Sequence, residues 1–167
     1  MSYLTILLNS VHKKGEFDCG KELLNSYLHR QANQDMQKHL SACFVIVGKN
    51  NQVKGYYTLS NDSIDRNLIP DYMKNKLPKS YRNLPVTLLG RLARDRRCEG
   101  ERLGETLLID ALKRCYDTSS TIGSMAVVVD PIDQEVKNFY LKYGFILLPD
   151  SNKMFLAMKT IGNLIEK

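Results

Sequence analysis

A chain of 167 residues, 43% hydrophobic and 25% charged, is long enough to bury one core without disulfides or metal, and its mix of residues is that of a globular protein rather than a disordered one. No apolar run approaches the ~20 residues that span a bilayer, and Met1-Ser2-Tyr3-Leu4 lacks the basic start and apolar stretch of a secretory signal, so a cytoplasmic protein is expected. A formal net charge of +6 and a pI near 9.1 permit, without requiring, an anionic partner: a phosphate-rich cofactor, a nucleic acid or an acidic protein.

Leu4-Thr5-Ile6-Leu7-Leu8 reads as a first strand. Asp18 is placed to cap a helix from about Gly20 to Gln34, with Leu24, Tyr27, Leu28 and Gln31 on one face. Cys43 to Val47 is a buried-type strand, Gly48 to Gln52 a hairpin turn, and Val53 to Ser60 the returning strand. Tyr56 and Tyr57 alternate across that strand, so one ring should point inward and the other toward a cleft. Residues 61–84 are polar and irregular, with Pro70 and Pro78, and predict loops and a short helix. Pro85 to Ala93 reads as a central strand, followed by a charged, glycine-containing turn, Arg94 to Gly104. The helix after it runs to about Asp117 with Leu107, Leu108, Ala111, Leu112 and Cys115 as its apolar face. Met125 to Val129 is a strand, and Asp133 is an N-cap for a helix that ends at Gly144, a natural C′ glycine. Phe145 to Leu148 and Met154 to Lys159 are two closing strands. The order β, α, β, β, β, α, β, α, β, β makes residues 1–167 a single mixed α/β domain.

Cys19, Cys43, Cys98 and Cys115 form no CxxC pair, and with His12, His29 and His39 scattered no metal-ligand spacing arises. There is no GxSxG or HExxH motif. Cys98 stands beside arginines that would lower its pKa, although an incidental thiol is the preferred reading. His29 and His39 read as surface residues.

The informative segment is the turn between the central strand and its helix, Arg96-Arg97-Cys98-Glu99-Gly100-Glu101-Arg102-Leu103-Gly104. Amides at a helix start are unpaired and carry partial positive charge, glycines admit a close backbone approach, and arginines add charge-assisted hydrogen bonds. That combination suits a diphosphate. The glycines alone describe an ordinary turn equally well, and no Gly-Lys-Ser/Thr of a P-loop follows.

Arg97-Cys98-Glu99-Gly100-Glu101-Arg102 resembles the acetyl-CoA signature (Q/R)xxGx(G/A) of the GNAT N-acetyltransferases, and Gly104 matches a further glycine common in that family. Asn138-Phe139-Tyr140-Leu141-Lys142-Tyr143-Gly144-Phe145 resembles the family's helix with a tyrosine near the cofactor sulfur, followed by a Gly-Phe turn. Phe17-Asp18-Cys19-Gly20, Gly55 to Ser60 and Leu89-Gly90-Arg91-Leu92-Ala93 narrow the resemblance to the GNAT toxins of type II toxin–antitoxin modules. The likeness implies the GNAT fold, a central mixed, mostly antiparallel sheet flanked by helices. It implies acetyl-CoA as donor, the α-amine of aminoacyl-tRNA as acceptor, translation block as outcome, and a ribbon-helix-helix antitoxin as partner. Homodimers are common in the family.

By the same resemblance, Leu92, Ala93 and Arg94 would pair through their backbone with the pantetheine arm, with the Leu92 amide as oxyanion donor. Arg97 and the segment Gly100, Glu101, Arg102, Leu103, Gly104 and Glu105 would cradle the pyrophosphate. Tyr140 would protonate the departing thiolate. Arg102 replaces the small second residue of the signature; the position tolerates alanine in the family, so a positive φ is not expected, and the side chain points outward or reaches a phosphate. Glu105 stands where a basic residue is frequent. No histidine or carboxylate is placed as a base, which favours an α-amine, pKa ~7.7–8.0, over a lysine, pKa ~10.4. Arg30, Lys38, Arg82 and Arg91 are candidate phosphate contacts to RNA, weighed against ordinary solvated surface cations. Transfer to a protein amine, polyamine or small-molecule amine, and a catalytically weak binding module, are the alternatives.

Overall fold

The structure is a computed structural model and describes residues 2–166. Its strands are β1 (Ile6–Leu7), β2 (Ala42–Val47), β3 (Val53–Asp65), β4 (Asn83–Arg94), β5 (Ala126–Val129), β6 (Ile146–Leu147) and β7 (Met154–Ala157). Its helices are α1 (Glu22–Ser26), α2 (Ala32–Gln37), α3 (Asp71–Lys74), α4 (Leu103–Thr118), α5 (Gln134–Lys142) and α6 (Met158–Ile165). The strands form one sheet in the order β1-β2-β3-β4-β5-β7-β6. The β1–β2, β2–β3, β5–β7 and β6–β7 pairs are antiparallel and β4–β5 is parallel, so the expected mixed, mostly antiparallel α/β class holds. The chain divides into two compact units, Met1–Ser60 with Leu89–Arg114, and Asn61–Leu88 with Cys115–Lys167.

In the first unit, Leu8, Phe17, Leu24, Tyr27, Leu28, Val45 and Tyr56 share a core. The single helix expected from Gly20 to Gln34 is instead α1 and α2 joined by a π-helical turn, Tyr27–Gln31. Asp18 does not cap it: the N-cap is Lys21, with no side-chain hydrogen bond. Asp18 shapes the preceding turn, where its Oδ1 accepts from the Gly20 amide at 2.9 Å and from Asn25 Nδ2 at 2.9 Å. Tyr56 and Tyr57 turn to different neighbours as their alternation predicts, Tyr56 to Phe17 and Tyr27 and Tyr57 to Phe44, but neither ring faces an open cleft, since both are fully buried. Each hydroxyl has a partner, as a buried phenol requires. Tyr56 donates to the Leu24 carbonyl at 2.7 Å, and Tyr57 donates to Asp110 Oδ2 at 2.8 Å. Thr5 Oγ1 donates to the same carboxylate oxygen at 2.6 Å, and Arg114 Nε donates to the Tyr57 hydroxyl at 2.9 Å. This polar knot ties the N-terminal segment to α4. Gly55 allows a close approach in the same region: a Cβ there would lie 2.7 Å from Leu107 Cδ1 and 3.1 Å from the Ala93 carbonyl oxygen.

In the second unit, Ile64, Leu84, Val86, Ala126, Val128, Leu148 and Phe155 form the core. β3 continues to Asp65, past the expected end at Ser60, although Asn61, Asp62 and Ser63 look like loop; Ile64 is its buried anchor there. Asp133 caps α5 as expected, its Oδ1 accepting from the Val136 amide at 2.9 Å, and Gly144 follows with φ +93°. The last strand stops at Ala157, two residues early, because Met158, Ile161 and Gly162 turn inward at helical spacing to form α6.

Candidate functional site

β4 ends at Arg94, and the buried carboxylate of Asp95 organises the turn beyond it. Asp95 Oδ1 accepts from the Arg97 amide and Arg97 Nε, both at 2.9 Å, and its Oδ2 accepts from Arg97 Nη2 at 2.7 Å and the Asp18 amide at 3.2 Å. The bonds within residues 95–97 are an Asx-type cap on a short 3-10 turn, Arg96–Cys98. The loop before α1 is stitched to the same turn. The Arg96 amide donates to the Asp18 carbonyl at 2.9 Å, Arg96 Nη2 meets Asp18 Oδ2 at 2.5 Å, and Arg97 Nη2 donates to the Glu16 carbonyl at 3.1 Å. The Arg97 guanidinium beside Asp95 holds that carboxyl at about 2.

The backbone then reverses through two left-handed residues, Gly100 at φ +89° and Arg102 at φ +55°. The second corrects the expectation that position 102 needs no positive φ. For arginine this conformation costs about 1 kcal/mol or more, and it is held where the turn must deliver the chain into α4. The Arg102 side chain points outward: it is 75% exposed and its Nη2 meets Glu105 Oε2 at 2.8 Å. Glu101 Oε1 is bound by Lys54 Nζ at 2.9 Å. Leu103 is buried and anchors the helix start, while Gly104 and Glu105 are half-buried beside it. The amides of Leu103, Gly104 and Glu105 lie in the first turn, where no intrahelical acceptor exists. No atom comes within 4 Å of a Cβ built on Gly100. A left-handed, open turn that leads into unpaired helix amides fits a diphosphate. Leu92 and Arg94 are half-buried and Ala93 buried at the end of β4.

Tyr140, on α5 in the other unit, is buried, with Phe139 and Phe145 ring centroids at 5.3 and 5.1 Å. Burial pushes its phenol above the ordinary value. Among the described residues its hydroxyl has no hydrogen-bond partner, in contrast to Tyr56 and Tyr57. Burial raises the Cys98 thiol, so the lowering suggested by its neighbouring arginines does not occur; both guanidinia are directed to Asp18 and Asp95.

Of the four candidate RNA contacts, Arg30, Lys38 and Arg82 are exposed, whereas Arg91 is half-buried with its guanidinium 3.5 Å from the centre of the Tyr27 ring. His39 is exposed as expected, but His29 is half-buried with Nε2 3.0 Å from the Phe17 carbonyl oxygen. The residues not singled out from sequence are Asp95 and Lys54. An aspartate just past a strand end and two residues before an amide donor is an Asx-turn signal that the sequence carries; Lys54, far along the chain from Glu101, carries none. Among the described residues no group of histidine, cysteine and carboxylate side chains could hold a metal ion.

No protein-family model matches the chain. A tRNA-acetylating toxin of Mycobacterium tuberculosis is 33% identical over 150 residues, which are 89% of this chain and 88% of that protein. The structure of AtaT complexed with acetyl-methionyl-tRNAfMet superposes with a TM-score of 0.89 at 28% identity, covering 98% of this chain and 99% of that one. A tyrosine-to-phenylalanine mutant of the AtaT toxin, bound to the C-terminus of the antitoxin AtaR and acetyl-CoA, superposes with a TM-score of 0.81 at 26% identity, covering 98% of both chains.

Proposed function

We propose, because this chain belongs to the family of tRNA-acetylating GNAT toxins, that it transfers the acetyl group of acetyl-CoA to the α-amine of aminoacyl-tRNA and thereby blocks translation. The observation that carries the reading is the left-handed turn Gly100–Arg102, which opens the first amides of α4 in the register of the acetyl-CoA signature. Residues 1–167 act as one acetyltransferase domain in the cytoplasm, where charged tRNA is found. The partner is an antitoxin, of ribbon-helix-helix class, and the working form is a homodimer.

Acetyl-CoA supplies an activated thioester. The segment Gly100, Glu101, Arg102, Leu103, Gly104 and Glu105 binds its pyrophosphate through amides other than that of Glu101, which donates to the Cys98 carbonyl at 3.2 Å, and the backbone of Leu92, Ala93 and Arg94 orients the pantetheine arm, with the Leu92 amide facing the developing oxyanion. Arg97 acts through Asp95 by holding the turn. An α-amine of pKa ~7.7–8.0, lowered further by the adjacent ester, has a substantial neutral fraction near physiological pH and attacks without a strong base. The Tyr140 hydroxyl, protonated and without another partner, donates its proton to the departing sulfur, and the proton shed by the acylated nitrogen restores the phenol.

The test is transfer of label from radiolabelled acetyl-CoA to bulk charged tRNA, with uncharged tRNA and Tyr140→Phe as controls. Label should appear on charged tRNA alone, and kcat should fall about 10²–10⁴-fold in Tyr140→Phe with acetyl-CoA affinity retained. Tight acetyl-CoA binding with no label on charged tRNA would refute the acceptor.

A further inference from the structure

The positive charge of this chain is not spread evenly. Residues 66–83 carry Arg66, Lys74, Lys76, Lys79 and Arg82 against a single acid, Asp71, so most of the net +6 falls in this one segment. The segment is irregular apart from α3, yet it is built rather than loose. Arg66 is half-buried and spends its guanidinium on backbone carbonyls: Nη1 donates to Pro78 at 2.5 Å and Tyr81 at 3.4 Å, Nη2 to Lys74 at 2.9 Å and Leu77 at 3.2 Å. Its own amide donates to the Arg82 carbonyl at 2.9 Å. One side chain thus fixes the path of the loop and leaves its positive charge beneath it.

The fixed loop borders an open surface pocket of about 310 Å³, at the lower end of the size of small-ligand sites. Lys79, Tyr81 and Arg82 line it together with Asn67 and Asn83. Lys74 is paired with Asp71 at 3.3 Å, but among the described residues Lys79 and Arg82 have no acceptor. Tyr81 is 53% exposed. The one carboxylate in the lining, Asp65, accepts from the Asn67 amide at 2.8 Å and is outnumbered by Arg66, Lys79 and Arg82. Unspent cations beside an exposed aromatic ring, on a loop held in advance, are the parts of a nucleic-acid contact: the cations meet phosphate and the ring meets a base.

We propose that this pocket is a phosphate- and base-binding contact for the RNA substrate, with Lys79 and Arg82 taking backbone phosphate and Tyr81 stacking on a base. This rests on the reading that the acceptor is aminoacyl-tRNA. The shared chemistry with the phosphates of acetyl-CoA is separated by measuring both ligands.

The test is filter binding of full-length protein to uncharged tRNA between 50 and 200 mM salt, about the range over which phosphate contacts reveal themselves. Lys79→Ala/Arg82→Ala should flatten the slope of log K against log salt by about 1.8 and weaken binding about 60-fold at 0.1 M salt. The charge-preserving Lys79→Arg/Arg82→Lys should restore both, and Tyr81→Phe should bind as wild type while Tyr81→Ala weakens. KM for charged tRNA should rise with kcat and acetyl-CoA affinity unchanged. An unaltered slope in the alanine double variant, in a protein that still acetylates charged tRNA, overturns this contact and leaves the proposed function standing. A loss of acetyl-CoA affinity instead assigns the pocket to the donor and also overturns it. Wild-type protein that neither binds nor acetylates tRNA overturns both readings.

Discussion

Asp95→Asn is the most discriminating substitution at the turn. The Asp95 side chain is 2% exposed and accepts four hydrogen bonds, three from Arg97 and one from the Asp18 amide. Its carboxyl is held at about 2 against an ordinary 3.8, chiefly by the Arg97 guanidinium. A folded value below the unfolded one stabilises above the unfolded pKa, and that contribution is lost as pH falls from about 4 toward 2. Its ceiling is about 2.5 kcal/mol. Arg97 is 61% exposed, so solvent screening brings the expectation down to about 1–2 kcal/mol. Asparagine keeps the shape but turns an NH2 toward donors, adding about 1 kcal/mol. The variant should therefore be less stable by about 2–3 kcal/mol at pH 7, a Tm lower by roughly 5–10 °C. Urea unfolding of both proteins at pH 7, 4 and 2.5 measures the gap, which should narrow to about 1.5 kcal/mol at the lowest pH. A gap that stays constant across this range, or is below about 0.5 kcal/mol at pH 7, would show that the charge of Asp95 does not hold the turn.

Three further outcomes are expected. Gly55→Ala should cost about 1–3 kcal/mol in urea unfolding, because the new Cβ meets a movable Leu107 side chain at 2.7 Å and an immovable Ala93 carbonyl at 3.1 Å; an unchanged midpoint would contradict the packing. Arg102→Gly should leave stability within about 1 kcal/mol, since relief of the left-handed φ offsets the lost backbone stiffness and a surface ion pair of little value, whereas Arg102→Val should lose about 1–2 kcal/mol. Initial rates of acetylation should rise from pH 6 toward the α-amine pKa and stay flat from about pH 8 to 9, because burial raises the Tyr140 phenol and keeps it protonated; a fall in that alkaline range that vanishes in Tyr140→Phe would show that the phenol ionises there.

The elements with strong period or caps were legible. α4 follows its Leu107, Leu108, Ala111, Leu112 face, and α5 starts at its Asp133 cap and stops at Gly144. The departures share a cause, which is that polar sequence hides tertiary support. Asn61, Asp62 and Ser63 are strand because β3 continues through to the buried Ile64. Lys159 resembles a strand end, but Met158 and Ile161 are the residues that bury and they do so at helical spacing. At the site, the left-handed φ of Arg102 was invisible because arginine does not ordinarily announce one. The paired tyrosines misled because alternation predicts opposite faces and not which faces are covered. Both faces are covered here: Tyr56 packs with Phe17 and Tyr27, and Tyr57 with Phe44 and Asp110.

Carboxylates crowd a turn assigned to a diphosphate, and the ion pairs explain how the two coexist. Glu101 meets Lys54, Glu105 meets Arg102, Asp18 meets Arg96 and Asp95 meets Arg97. A closely paired acid and base present a dipole, whose field fades faster with distance than that of either charge. The four pairs therefore neither repel an anion strongly nor leave Arg96, Arg97 and Arg102 free to clamp it. In the proposed function phosphate meets the backbone: the unpaired amides at the head of a 16-residue helix, which together amount to roughly half a positive charge. Their direction is set by two left-handed residues, and the position of those residues is set by Asp95. In the proposed function the charged side chains hold the turn in shape, and the shape is what meets the anion.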